Sequence, residues 1–303
     1  MSKSGPNVLD LRYSSAVGGE RMSIFKDRYY FRVQLDKERE SEESLWMQCK
    51  SCGELVFKRR VRENNNICPN CGEYFFLTAP ERIESLIDEG SFVDISKPIM
   101  ADDPLAFRDT KPYLERVEEA QQKTGLANAI IVGAAEISGA PIIVAAMDFR
   151  FVGGSMGSVM GEQICHGMEE AVRRGCPFLL VTSSGGARIQ EGLFSLLQMA
   201  KTATVRTRLA EARLPFISIM TYPTTGGVQA SIASLGDVVI AEKGAMIGFA
   251  GRRVIRDTIA EELPGDYQTE AFAYEHGFID RVVSREALRE ELAKILGFFV
   301  EAR

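Results

Sequence analysis

Two glycine turns and two cysteine pairs carry the chemistry legible in this chain. Thr182-Ser183-Ser184-Gly185-Gly186-Ala187-Arg188 and Thr224-Thr225-Gly226-Gly227-Val228 each follow a short apolar run and precede a helical pattern. A Gly-Gly pair between strand and helix bares backbone N–H groups, because no side chain shields them. Two such turns can aim donors at one carbonyl oxygen, as an oxyanion hole requires. The second signal is Cys49-Lys50-Ser51-Cys52 and Cys68-Pro69-Asn70-Cys71, each followed by a glycine, Gly53 or Gly72. That spacing reads as four-thiolate coordination of one Zn²⁺ by Cys49, Cys52, Cys68 and Cys71, with the glycines permitting the left-handed turn of each knuckle. Four thiolates leave no position open for water, so the metal is expected to be structural.

What is missing narrows the chemistry further. The chain has two histidines, and neither lies in a glycine turn. His166 falls mid-helix and reads as packed or solvated; His276 precedes Gly277 at a helix end and reads as a C-terminal cap. No G-x-S-x-G elbow, phosphate-binding P-loop or H-E-x-x-H pattern is present. Ser183 and Ser184 have no evident base. Anion stabilisation with few protein acids or bases suits formation of a thioester enolate, the base coming from a second bound molecule. Arg188, Gln190 and Glu191 follow the first turn and either position substrate or cap and solvate the next helix. Arg252, Arg253 and Arg256 follow Ile247-Gly248-Phe249-Ala250-Gly251 and either bind phosphates or form a solvated basic face. Lys58, Arg59, Arg60 and Arg62 give the cysteine unit a basic patch open to a nucleotide phosphate, to RNA or to water.

The elements that must hold these groups follow from periodicity. Residues 1–45 are polar and mixed in charge and read as a mobile leader. Residues 46–80 form the small cysteine unit, with β-type runs at Val56-Phe57 and Tyr74-Phe75-Phe76. Residues 81–303 read as one larger domain. Glu81–Asp88 is expected to be a short helix, and Ala129–Ile137 and Pro141–Asp148 a hairpin turning at Ser138-Gly139. After the loop Gly153-Gly154-Ser155-Met156-Gly157-Ser158, strand and helix alternate. Gly161–Arg174 is a helix closed by Gly175. Phe178–Thr182 is a strand. Ile189–Arg213 is a long helix with Leu193, Leu196, Leu197, Ala200 and Ala203 expected inward. Phe216–Thr221 is a strand, Val238–Ala241 and Ala245–Phe249 are short strands, and Arg253–Glu262, Thr269–His276 and Ser284–Phe299 are closing helices. Repeated βα units predict an α/β fold with a largely parallel sheet. At 303 residues and 45% hydrophobic, the chain can bury a large core. A net charge of −6 argues against a mainly electrostatic nucleic-acid or membrane role. No apolar run approaches the roughly 18 residues of a membrane span, the first residues lack a signal-peptide apolar region, and the cysteine pattern suits a reducing compartment. A cytoplasmic location is the expectation, or a plastid stroma for a plastid lineage.

Over residues 46–295 the chain resembles the carboxyltransferase β subunits of multisubunit acetyl-CoA carboxylase, the bacterial and plastid type. The resemblance rests on the four-cysteine ribbon, Met147-Asp148-Phe149 leading into Gly153-Gly154-Ser155-Met156-Gly157-Ser158, Ser184 through Gly192, Pro223 through Val228, and Ile247 through Ile255. It implies a crotonase-like (ClpP/crotonase) spiral of ββα units and transfer of a carboxyl group from carboxybiotin to acetyl-CoA, giving malonyl-CoA for fatty acid synthesis. It also implies that Gly226, Gly227, Gly185 and Gly186 serve the oxyanion, and that Ala187, Arg188, Gly153, Gly154, Arg252, Arg253 and Arg256 line the substrate. Biotin is then carried by a separate biotin carboxyl carrier protein and charged by a biotin carboxylase. No Met-Lys-Met biotinylation site is present in this chain. A second subunit of the same fold, the α subunit, completes the site in an α2β2 assembly. Gln229 and Met160 depart from the pattern as packing variants, and Arg252 stands where some relatives carry proline. The alternatives are another acyl-CoA carboxyltransferase or malonate decarboxylase subunit, which resemble this chain in the turns but not the ribbon, and a zinc-ribbon RNA-binding protein.

Overall fold

The hairpin is the simplest element to derive. β-Branched and small apolar residues flank Ser138-Gly139, and both turn residues adopt positive φ, 51° and 77°, as a two-residue hairpin turn of matching twist demands. In the computed structural model, which describes residues 45–250, 255, 258 and 263–301, this hairpin forms strands Ile130–Ile137 and Ala140–Met147. Their register runs from Ile130 opposite Met147 to Ile137 opposite Ala140. The Asp88 carboxylate caps the turn, accepting from the Ser138 and Gly139 amides at 2.9 and 2.8 Å.

Numbered along the chain, β1 (Trp46–Gln48) and β2 (Leu55–Phe57) make a two-stranded ribbon, followed by helix α1 (Lys58–Glu63). Then come α2 (Ala79–Leu86), β3 (Val93–Asp94) and α3 (Tyr113–Thr124), before the hairpin strands β4 and β5. The alternating part holds α4 (Ser158–Arg174), β6 (Phe178–Ser184), α5 (Leu193–Glu211), β7 (Phe216–Thr225), α6 (Gly226–Gln229), β8 (Val238–Glu242) and β9 (Ile247–Gly248). Helix α7 (Glu270–Glu275), β10 (Arg281–Val283) and α8 (Leu288–Glu301) complete the described residues. The expected helix Arg253–Glu262 lies almost wholly outside them.

The main sheet runs β10-β8-β7-β6-β5-β4-β3, with β9 pairing the end of β7. The links β5–β6–β7–β8–β10 are parallel, and β3–β4–β5 antiparallel. Both faces are covered, which is why β5 and β6 read as unbroken apolar runs. Ile143, Ala145 and Met147 face one core with Ile164 and Met168 of α4. Ile142, Val144 and Ala146 face the other with Ile83 and Leu86 of α2 and Leu292 and Leu296 of α8. Helix α2 begins at a capping box in which the Thr78 hydroxyl accepts from the Glu81 amide and the Glu81 carboxylate accepts from the Thr78 amide.

Two expectations need correction. The run Tyr74-Phe75-Phe76 is not a strand; Tyr74 makes a single bridge to Ile67. The reason is a competing partner, because the Arg285 guanidinium takes the carbonyls of Asn65, Asn66 and Phe75 at 3.0, 3.2 and 2.9 Å. The same guanidinium also grips Glu242, which Arg82 holds from the other side. The second correction concerns Ile189–Arg213. A 3₁₀ turn occupies Ile189–Glu191 and Gly192 breaks the backbone (φ 49°), so α5 starts at Leu193. Its leucines point outward: Leu193, Leu196 and Leu197 are 67, 52 and 52% exposed, while Ser195, Gln198 and Thr202 are buried.

A candidate oxyanion site between three glycine loops

Parallel strands β5, β6 and β7 end side by side, so the loops that follow them converge. The Gly185 amide donates to the Gly153 carbonyl at 2.9 Å, Met156 N to Gly186 O at 2.8 Å, and Arg188 N to Met156 O at 2.9 Å. The two Gly-Gly turns lie back to back. A Cβ on Gly186 would come within 3.0 Å of Gly227 N, and one on Gly226 within 3.0 Å of Gly185 O. A Cβ on Gly154 would strike Ser183 O at 2.1 Å. Gly153, Gly154, Gly186 and Gly226 all take positive φ. Glycine is therefore required here for space and for backbone conformation together.

Not every N–H in the turns is available. Gly185 N is spent on Gly153, Gly186 N on the Ser184 hydroxyl at 3.0 Å, and Gly226 N on Phe249 O at 3.0 Å. This corrects the expectation that Gly226 bares its N–H. Among the described residues, the Ala187 and Gly227 amides take no acceptor. Gly227 is the second residue of α6, where no intrahelical acceptor exists. A Cβ placed on Gly227 would lie 3.3 Å from Ala187 N, so the two free donors are neighbours.

Arg188 is enclosed by the chain's own groups, its side chain 3% exposed. It donates to the Tyr113 hydroxyl at 3.0 Å, the Ser155 hydroxyl at 3.1 Å and the Ser155 carbonyl at 2.8 Å. Tyr113 in turn donates to Glu191 at 2.6 Å, and the other Glu191 oxygen accepts from Ser158 N, the first residue of α4, also at 2.6 Å. Burial pushes the Tyr113 phenol up to about 12, so it stays a donor. Arg188, Tyr113 and Glu191 are struts that hold the Gly153 loop, the Gly185 loop and the start of α4 together. Neither Tyr113 nor the Glu191 cap is signalled in the sequence, since both depend on contacts between distant segments. Arg252, Arg253 and Arg256 lie outside the described residues.

The cysteines behave as expected from their spacing. Gly53 and Gly72 take φ of 75° and 77°, and the two knuckles repeat one bond pattern: Cys49 N to Glu54 O and Gly53 N to Cys49 O, then Cys68 N to Glu73 O and Gly72 N to Cys68 O. The four sulfurs lie within 4.8 Å of one another. Sγ of Cys49 and Cys71 are 3.7 Å apart, and Sγ of Cys52 and Cys68 are 3.9 Å apart. Zn–S bonds of about 2.3 Å in a tetrahedron place sulfurs about 3.8 Å apart, so the donor set fits zinc. The Cys52 amide and its neighbours lower the Cys49 thiol to about 7. The Glu54 amide also favours the Cys52 thiolate, yet desolvation, followed by crowding from Cys71, Cys49 and Cys68, pushes Cys52 up to about 12. The basic residues Lys58, Arg59, Arg60 and Arg62 fall on α1, and Arg59 pairs with Glu63 at 2.8 Å. His166 bonds the Ile95 carbonyl and His276 caps α7, so both are structural. No helix among the described residues is long and apolar enough to cross a membrane.

Comparison with known proteins agrees with this architecture. The carboxyl transferase domain family matches residues 76–300, and the acetyl-CoA carboxylase zinc finger domain matches residues 46–71. The chain is 44% identical over 266 residues to the acetyl-coenzyme A carboxylase carboxyl transferase subunit beta of Prochlorococcus marinus (strain MIT 9303), covering 88% of this chain and 91% of that one. It is 48% identical over 252 residues to the same subunit of Thermus thermophilus, covering 83% and 88%. In structure it is similar to transcarboxylase 12S with methylmalonyl-coenzyme A bound, with a TM-score of 0.61 and 29% identity. That match covers 78% of this chain and 43% of the transcarboxylase chain, so this chain spans under half of that protein's length. The chain belongs to the carboxyl transferase family and, within it, to the acetyl-CoA carboxylase carboxyl transferase β subunits.

Proposed function

We propose that this chain is the acyl-CoA half of a split carboxyltransferase site, with the Ala187 and Gly227 amides holding the thioester oxygen as it becomes an enolate. One observation carries the reading: three glycine loops are locked together so that two adjacent N–H groups stay free at the end of the sheet. A preorganised donor of this kind lowers the barrier by about 3 kcal/mol. Biotin, on a separate carrier protein, supplies the carboxyl group and a ureido nitrogen able to take the acetyl proton. The chain's own part is placement. Gly186 and Gly226 keep the two turns in contact, and Arg188, Tyr113 and Glu191 keep them from shifting.

The second half of the site comes from an α subunit of the same fold. Helix α5 begins just beyond the first turn and shows water an apolar face formed by Leu193, Leu196 and Leu197, with Phe194 also exposed. Contiguous exposed apolar side chains of this kind suit a protein contact. The matched transcarboxylase chain is more than twice as long as the part this chain covers, which leaves room there for a second such unit. The zinc in the ribbon is structural, held by Cys49, Cys52, Cys68 and Cys71. The biotin carboxyl carrier protein and biotin carboxylase complete the assembly. The test is carboxyl transfer from malonyl-CoA to biocytin by the chain mixed with purified α subunit, read as acetyl-CoA formed. The reading requires acetyl-CoA in an amount matching the carboxybiocytin; malonyl-CoA consumption that does not depend on biocytin would defeat it.

A further inference from the structure

One buried polar side chain behind the second glycine turn has no part in the chemistry above. Gln268 is 5% exposed and takes φ of 71°, the left-handed region that strains a residue with a side chain. It stands between a turn at 264–267 and helix α7. Tyr267 N donates to Pro264 O at 3.1 Å, and the Thr269 hydroxyl caps α7 by accepting from Phe272 N, also at 3.1 Å. Backbone strain of this kind persists only where the surroundings hold it. Here the holding contacts lie on one segment. Nε2 of Gln268 donates to the Ala250 carbonyl at 2.5 Å, and the Gln268 carbonyl accepts from Ile247 N at 2.9 Å. One residue thus grips the segment 247–250 at its first amide and at its last carbonyl.

That segment is what the second turn leans on. Thr224 N donates to Met246 O at 2.8 Å and Gly226 N to Phe249 O at 3.0 Å. Between them β7 pairs with β9, Thr224 opposite Ile247 and Thr225 opposite Gly248. The carbonyl that takes Gly226 N is therefore one residue from the carbonyl that Gln268 holds. Where it sits decides where the turn sits, and so where the free Gly227 N–H points. The Phe249 ring is 65% exposed, so its own burial does little to anchor the loop. Gly248 shows how closely the Gln268 side chain fits. Its φ is open to any residue, yet a Cβ there would meet Gln268 Nε2 at 2.5 Å and Cγ at 2.8 Å.

We propose that Gln268 is a positioning residue for enolate formation: it fixes the Phe249 loop that fixes Gly226, and thereby aims the Gly227 amide at the thioester oxygen. This rests on the carboxyltransferase reading above. Gln268 itself touches no reacting atom. A carboxamide suits the task, because it donates to a carbonyl without bringing a charge into a buried position. The left-handed backbone turns its carbonyl and its side chain onto the same segment.

The test uses the chain assembled with α subunit, malonyl-CoA and biocytin. Rates are divided by the number of sites that bind ethyl-CoA, a thioether without the carbonyl oxygen, so that unfolded chain does not count. Gln268→Met keeps the length of the side chain and loses the donor. Its kcat per site should fall roughly tenfold to 10²-fold through misplacement of the turn, with KM for malonyl-CoA unchanged, because the lost alignment acts in the transition state. Gly248→Ala should give a loss of the same order by pushing the Gln268 amide aside. In Gln268→Ala the atoms that this alanine would strike are gone, so adding Gly248→Ala should cost nothing further, a coupling that two independent structural defects would not show. Unchanged kcat per site in Gln268→Met, a raised KM with kcat unchanged, or additive losses in the double variant would each overturn the assignment. Failure of the parent reading is distinguishable, because wild type would then transfer no carboxyl group to biocytin, and the positioning role would fall with it.

Discussion

Gly227→Val separates the free-donor account from a merely structural role for the turns. Gly227 sits in the first turn of α6 at a φ open to any residue, so the backbone itself is not strained by a side chain. The strain is local. A Cβ would lie 3.2 Å from Ala187 Cβ, 3.3 Å from Ala187 N and 3.3 Å from Met199 Sδ, and the two methyl groups of valine reach further. The two turns must part by some tenths of an ångström, which misaims both free donors. Loss of one oxyanion donor costs about 10²–10³ in kcat, so a fall of at least roughly 10²-fold is expected, with the melting temperature little changed. Gly244→Ala is the mirror control. Gly244 takes φ 80° with nothing within 4 Å of a Cβ, so alanine there costs about 1–2 kcal/mol of stability through the left-handed backbone and leaves turnover intact. Initial rates of malonyl-CoA consumption with biocytin and α subunit, set beside thermal melts, read both. Turnover by Gly227→Val within about threefold of wild type would refute the reasoning.

Purified chain should carry about one Zn²⁺ by elemental analysis. Cys49→Ser should lose it and also lower the melting temperature of the body, because Arg285 loses the ribbon carbonyls that it bonds; an unchanged melt would contradict that coupling. Arg285→Ala should destabilise the chain by about 3–5 kcal/mol, measured by denaturant unfolding, since it leaves the buried Glu242 carboxylate with one partner instead of two. Burial alone would raise the Glu242 carboxyl, but the Arg82 charge and hydrogen bonds from Arg285 and Arg82 hold it below its usual range. Burial also pulls Arg82 down, yet a guanidinium stays protonated, so the carboxylate carries the pH dependence. Its contribution is complete above the ordinary carboxylate pKa of about 4.3 and is lost as pH falls through the lower folded value; a melt series from pH 7 to 3 should show stability dropping only below pH of about 4. Leu197→Asp on the outward face of α5 should abolish association with the α subunit in sedimentation while raising the solubility of the isolated chain.

How much of this was legible in the sequence depends on the range of the cause. The cysteine spacing fixes the metal site locally, and the knuckle glycines take the positive φ expected of them. The hairpin follows from Ser138-Gly139, and the convergence of the glycine turns follows from strands that run parallel. Long-range effects were not legible. The leucine stripe of α5 has the same period whether a core or a partner covers it, and only the buried Ser195, Gln198 and Thr202 reveal that it faces outward. That Tyr113 and Ser155, far away in sequence, enclose the Arg188 side chain cannot be read from its own neighbours. Which amide is free also depends on distant acceptors. Gly226 is lost to Phe249 while its neighbour Gly227 is left open.

The central claim is that this chain is half of a site. Its most direct test is to titrate purified α subunit into the chain and follow carboxyl transfer between malonyl-CoA and biocytin. Transfer should be nearly absent without α subunit and should rise to a plateau at one α per chain. Full transfer by the chain alone, or no rise on adding α subunit, would contradict it.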